Sequence, residues 1–291
     1  MIDLHIHTIA SSDGQHTPQE IFTMANSMGL TAIAFADHNS IGSVGEGITL
    51  SREFGIEFIP CLEFNTLYLD HDLHMLAYFI DCQSRELKSW LEEIHEEKQR
   101  QAVGRIEKLN ELGFVFSADD VKKFSGDKIP TGMSFLKAIR SREENKGDPR
   151  IKRFIDGDRS GSPYVNFYLD YLRGGESAFV PLETVDTFYV MGRIKQLGGI
   201  PVLAHPSDTG DDIILRLVEG GLLGLEVFSS YHNEKEEEHF LSLAKECNLL
   251  VTAGSDFHGS EVKPDVKLGE VRGNSYELVD KLKDARAQLK T

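Results

Sequence analysis

Seven short apolar runs, separated by helix-length segments, constrain this 291-residue chain more than any other feature. They occupy positions 2–7, 31–37, 56–63, 73–80, 200–205, 222–228 and 249–255. Runs of this length bounded by turn residues read as buried strands. Between the first two, HTPQEIFTMANSMGL predicts a helix with Thr17 as its cap, Pro18 in its first turn and Glu20 completing a capping box; Gly29 stops it. NEKEEEHFLSLAKECN predicts a second amphipathic helix, leading into LLVTAGSD. Strand–helix–strand repetition of this kind predicts an α/β fold with parallel strands.

The rhythm breaks in the middle. From about position 84, SRELKSWLEEIHEEKQRQAVGRIEKLNELG is one long charged helical pattern ended by Gly113. Turn-rich sequence with little strand pattern follows to about Pro181. The expected organisation is therefore a barrel-like body from 1–83 and 183–291, with 84–182 as a mainly helical insertion that caps the active site.

The His, Asp and Glu residues fall at the ends of the predicted strands. His5 and His7, spaced i, i+2, share one face of the first strand, and Asp13 follows in a Ser-Ser-Asp-Gly turn. Asp37-His38, Glu63 and His205 close later strands, His74 lies within one, and Asp256 and His258 follow the last. In parallel β/α folds such positions surround the active site. Each has a plain explanation alone: a core histidine for His74, a turn for AHP, a helix cap for GSD. Together they would bring about nine nitrogen and oxygen ligands into one bowl, where without cations they would be poorly solvated and mutually perturbed. A polynuclear metal site follows, and the absence of thiolates suits Zn, Mn or Fe.

The formal charge of -16 argues against duplex DNA or an anionic membrane as a partner. Cys61, Cys82 and Cys247 are far apart and show no CxxC spacing, so neither disulfides nor a cysteine zinc site is expected. No basic-then-apolar leader and no bilayer-length apolar run is present, and a cytoplasmic location is expected.

DLHIHT…SDG, ADHNS, CLEFN, HMLAY, AHP and GSDFH resemble, in order, the motifs of the PHP (polymerase and histidinol phosphatase) superfamily, over roughly 1–82 and 183–260. YLRGGESAFVP and GGIPVLAHP are similar to its branch of stand-alone phosphatases acting on nucleoside phosphates. The resemblance implies a distorted (β/α)7 barrel with a mainly helical insertion and three divalent metal ions. Carried over motif by motif, it implies that His5, His7, Glu63 and Asp256 hold one metal. Glu63 would bridge to a second, held also by His74 and His205. Asp13, His38 and His258 would hold the third, with Asp37 orienting a ligand histidine. His232 in EVFSSYHN stands at the level of a substrate contact, or of a surface histidine at a helix start; Arg173 is a further candidate. Related bisphosphatases carry an Arg-Pro-His-type motif early in the insertion, where this chain has IPTGMSF. That departure argues against a 3′,5′-bisphosphate substrate.

The donor set fits phosphate ester hydrolysis. Phosphate monoesters need enhancements of up to about 10²¹-fold, and one general acid or base supplies only about 10²–10⁴-fold. A metal-bridging hydroxide, present at neutral pH because metals acidify bound water, closes much of that gap. The expected activity is hydrolysis of a small phosphate monoester, a nucleotide in the first instance. Histidinol-phosphate phosphatase, a 5′–3′ exonuclease on short oligonucleotides and a non-enzymatic metal-binding module are the alternatives.

Overall fold

The computed structural model describes residues 1–69, 71–182 and 185–289. Strands β1 (Ile2–Ile6), β2 (Ala32–Phe35) and β3 (Glu57–Pro60) form a parallel sheet in that order. A second sheet follows chain order through β4 (Glu63–Tyr68), β5 (His71–Tyr78), β6 (Ile200–Leu203), β7 (Gly224–Ser229) and β8 (Leu250–Gly254). Single bridges, Ile6 to Phe257 and His38 to Glu63, link the two sheets, and His7 N donates to Phe257 O at 2.9 Å. Gly254 permits the close approach of β8 to β1, since a Cβ there would sit 2.2 Å from His5 Cβ. The architecture is α/β, as expected.

The strands are not all parallel. The predicted 56–63 run is two elements: β3 stops at Pro60, and Glu63 opens β4 instead of closing the third strand. The connection from β4 to β5 is too short for a crossover, so the pair is antiparallel, with Glu63 opposite Leu76. β5 also runs against β6, while β6, β7 and β8 are mutually parallel. β5 is thus the one reversed strand of its sheet, and His74 reaches the site from mid-strand.

The predicted caps form as written. Thr17 Oγ1 accepts from Glu20 N at 3.2 Å, Glu20 Oε2 accepts from Thr17 N at 2.8 Å, and Gly29 ends the helix Pro18–Met28 in the left-handed region. The helix Glu234–Glu246 is capped by Asn233. Between β5 and β6 the chain builds the 27-residue helix Arg85–Glu111 and several shorter helices. The long helix serves two cores. Leu87, Trp90, Leu91 and Ile94 pack into the main core, whereas Ala102, Ile106 and Leu109 join a separate cluster with Phe114, Phe135, Phe154 and Phe167. No described helix is long and apolar enough to cross a membrane.

Candidate metal centre

All nine candidate ligands converge. Their donor atoms form four overlapping groups, each within 4.8 Å: His7, Asp13, His38 and His258; His5, Glu63 and His205; His5, His7 and Asp256; and His38, Glu63 and His74. Glu63 is the hub. Its Oε1 lies 3.0 Å from His74 Nδ1, 3.3 Å from His5 Nε2 and 3.3 Å from His205 Nε2, and its Oε2 lies 2.9 Å from His38 Nδ1. Asp256 Oδ1 is 3.2 Å from His7 Nε2 and 3.4 Å from His5 Nε2. Asp13 Oδ2 sits 3.9 Å from His38 Nε2 and 4.0 Å from His258 Nε2.

These donors fit cations better than one another. Asp13 Oδ1, Glu63 Oε2 and Asp256 Oδ1 are all buried and accept no well-aligned hydrogen bond, although imidazole nitrogens lie close to the latter two. Native proteins rarely strand buried polar atoms. One orphaned oxygen on each carboxylate, aimed among imidazole nitrogens, is the arrangement that divalent ions would satisfy.

The grouping implied for Asp13, His38 and His258 gains His7 in the structure, and Glu63 lies close to His38 as well as to the four histidines that the resemblance groups with it. Asp37 accepts from Thr8 N at 2.7 Å, Thr8 Oγ1 at 2.8 Å, Ser11 Oγ at 3.0 Å and Ser43 Oγ. It therefore reaches His7 only through Ser11, whose Oγ lies 3.3 Å from His7 Nδ1.

Two charged residues outside the predicted set hold candidate ligands in place. Glu226 Oε1 lies 3.0 Å from His5 Nδ1, turning Nε2 toward the centre, and its Oε2 accepts from His205 N at 2.9 Å. Lys263 Nζ pairs with Asp256 Oδ2 and donates to Asp256 O at 3.3 Å; Tyr231 OH donates to the same Oδ2 at 3.1 Å. The residues they grip, His205 and Asp256, have positive φ of 26° and 54°. Such backbone persists where its surroundings over-determine it. Glu226 has a weak sequence signal, an acid at the centre of the apolar run 222–228; Lys263 has none.

Burial alone would raise the Glu63 and Asp256 pKa values, but their partners win. His74, His5 and His38 hold Glu63 well below the carboxylate range, and Lys263, His5 and His258 do the same for Asp256. The same carboxylates act on the histidines. Burial opposes the charged form of His7, yet Asp256 and Glu63 push it up to about 9. His258 is driven well below its ordinary value by burial, His7 and Lys263, and His74 is lowered by burial first.

His232 is not part of this surface. Its Nδ1 donates to Val227 O at 2.7 Å and its ring packs 4.8 Å from Phe240, so it is a buried histidine off the cleft wall. Its neighbour Tyr231 lines the cleft instead. Arg173 pairs with Asp208 and also lies off that wall. The cleft is lined by six of the candidate ligands together with residues of the helical segment, among them Lys98, Gln101, Arg105 and Tyr168.

Residues 3–114 match the family model of the PHP domain. That match takes in β1 to β5 and six of the nine candidate ligands. A 5′-3′ exoribonuclease of Haemophilus influenzae is 26% identical over 88% of this chain and 89% of its own length. A 3′,5′-nucleoside bisphosphate phosphatase of Chromobacterium violaceum is 27% identical over 88% and 87%. Among solved structures, a candidate metal-dependent phosphoesterase of Bifidobacterium adolescentis superposes with a TM-score of 0.77 at 25% identity, over 98% of this chain and 96% of its own. An amidohydrolase structure from Chromobacterium violaceum, with sulfate and no metal, shares the fold at a TM-score of 0.79 and 24% identity, over 98% and 96%.

Proposed function

We propose that this chain is a metal-dependent phosphoesterase of the PHP family that hydrolyses a small phosphate monoester, with a nucleotide as the first candidate, in the cytoplasm. The observation that carries the reading is the convergence of nine donor residues, three of them carboxylates with a buried oxygen that accepts no hydrogen bond, at a cleft that six of them line. The two sheets are read as a distorted (β/α)7 barrel, and 84–182 as a helical cap over its ligand face.

His5, His7, Glu63 and Asp256 would hold one ion; Glu63, His74 and His205 a second; Asp13, His38 and His258 a third. Manganese, zinc and iron all suit the donor set. Bound divalent ions supply a hydroxide nucleophile at neutral pH and neutralise charge on the phosphoryl group. The chain's own residues do the rest. Glu63 stays ionised among its histidines, Glu226 aims His5, and Lys263 with Tyr231 occupies Asp256 Oδ2 so that Oδ1 stays free.

The exoribonuclease among the relatives favours a second reading, removal of nucleotides from short RNA. The test is phosphate release from a mononucleotide and from a short 5′-phosphorylated oligonucleotide, with manganese and with chelator. Chelator-sensitive release from the mononucleotide supports the first reading. Mononucleotide products from the oligonucleotide alone support the second.

A further inference from the structure

Two of the loops that carry candidate ligands are tied to the helical segment by one side chain. Glu261 stands three residues after His258 and two before Lys263. Its Oε2 accepts from Gln15 Nε2 at 3.0 Å, and Gln15 Oε1 accepts from Glu261 N at 2.8 Å, so the pair is held twice. Gln15 follows Asp13 by two residues, and its own N donates to His258 O at 3.0 Å. The approach is close enough to require glycine at 259, where φ is 99° and a Cβ would meet Gln15 Oε1 at 2.2 Å. The other oxygen of Glu261 turns to the helical segment. Oε1 pairs with Lys137 Nζ at 2.6 Å, on the helix Gly132–Arg140, and accepts from Tyr164 OH at 3.1 Å, on the helix Pro163–Phe167.

Two further contacts cross the same junction. Val262 is buried and belongs to the apolar cluster of the segment, with Phe135 and Phe167. Ser12 Oγ, beside Asp13, donates to Thr131 Oγ1 at 3.2 Å. The chain from 256 to 263 therefore has two tasks: Asp256 and His258 join the candidate centre, while Glu261 and Val262 anchor the segment.

Asp13 connects the tasks. Its Oδ2 lies 3.9 Å from His38 Nε2 and 4.0 Å from His258 Nε2, too far for hydrogen bonds, and its Oδ1 is buried without one. A cation shared by Asp13, His38 and His258 would fix that carboxylate, and with it the turn that carries Gln15. Gln15 passes the restraint to Glu261, and Glu261 passes it to Lys137 and Tyr164.

We propose that Glu261 is a positioning residue that couples metal binding at the Asp13 group to the helical segment: a divalent ion held there steadies the segment, and the seated segment tightens the ion's binding. This rests on the metal reading above. The effect is bounded by what Glu261 holds. Its side chain is 46% exposed, so the ion pair with Lys137 contributes little alone. With the Tyr164 and Gln15 hydrogen bonds added, the coupling is expected at about five- to thirtyfold. By linkage the same factor applies in both directions.

Hydrogen–deuterium exchange tests this on the full chain, chelator-stripped and manganese-loaded. The helices Gly132–Arg140 and Pro163–Phe167 contain no candidate ligand, yet manganese should slow their exchange by about five- to thirtyfold in the wild-type chain. Glu261→Ala should abolish that protection while the loops of Asp13 and His258 keep theirs, and calorimetry should show its weakest manganese step weakened by the same factor. Glu261→Gln, which keeps an acceptor oxygen without the charge, should retain part of the effect. Lys137→Met cuts the link from the segment side without touching either loop, and decides the matter if Glu261→Ala does not fold. Manganese binding that leaves both helices unprotected in the wild-type chain would overturn the proposal. So would variants that speed exchange equally with and without metal, the mark of a purely structural contact. No manganese bound by the wild-type chain would sink the metal reading itself, and the coupling with it.

Discussion

The two walls of the cleft are built by opposite means. One wall gathers nine candidate donors from six strands and the loops that follow them. The facing wall is one face of a helix whose charged side chains reach in from a segment with its own apolar core. Strand-end donors suit chemistry that requires fixed geometry. Long side chains on a helix suit recognition, because they can change without touching the ligands. On the proposed reading, reactivity is set in the sheets and selectivity in the helical segment that follows β5.

Glu63→Gln removes the hub of the ligand wall, and phosphate release should fall by at least about a thousandfold, together with metal content by elemental analysis. Retained activity would mean that the wall is not the reactive one. Lys263→Met strips the partner from buried Asp256, which should cost the metal-free protein about 3–5 kcal/mol in urea unfolding. The loss should shrink once divalent ions are added, since they take over the neutralising role. An equal loss with and without metal would show that Asp256 is not a ligand.

Glu226→Gln should lower manganese affinity by about ten- to a hundredfold, because His5 and His205 lose the carboxylate that orients them. Titration calorimetry reads this directly, and unchanged affinity would remove Glu226 from the account. The smallest effect lies in the helical segment. Lys123 first, against burial, and then Ser117 and Arg142 hold the Asp120 carboxyl below the ordinary aspartate range. Its stabilisation is therefore complete above the unfolded value of about 4 and is lost as pH falls below it. Asp120→Asn should cost about 1 kcal/mol at pH 7 and flatten the acid limb of the stability profile, as followed by circular dichroism.

The ligand wall was legible because its residues sit beside periodic apolar runs. His5 and His7 announce a shared strand face, and the ADH, AHP and GSDFH stretches each follow such a run. Glu63 joins the cluster, but from a different element than the one expected. Pro60 marks the break before Cys61-Leu62, and reading the apolar run straight through it gave one strand where two exist. The reversal of β5 was hidden with it. Lys263 was invisible because its role is fixed only when the loop after His258 folds back on Asp256. His232 was misplaced by one residue: at that loop the chain turns Tyr231 into the cleft and His232 into the core against Phe240. The facing wall was illegible for a different reason. Lys98 and Arg105 lie in a run of charged residues whose pattern says helix surface, and only the packing of the segment over the sheets makes that face an interior one.

The most direct test of the central claim is phosphate release from a mononucleotide by the chelator-stripped chain, before and after reloading with manganese. No turnover is expected when stripped, and turnover should return in proportion to the metal bound. Turnover that persists in chelator, or a fully loaded centre that releases no phosphate from any ester tried, would contradict it.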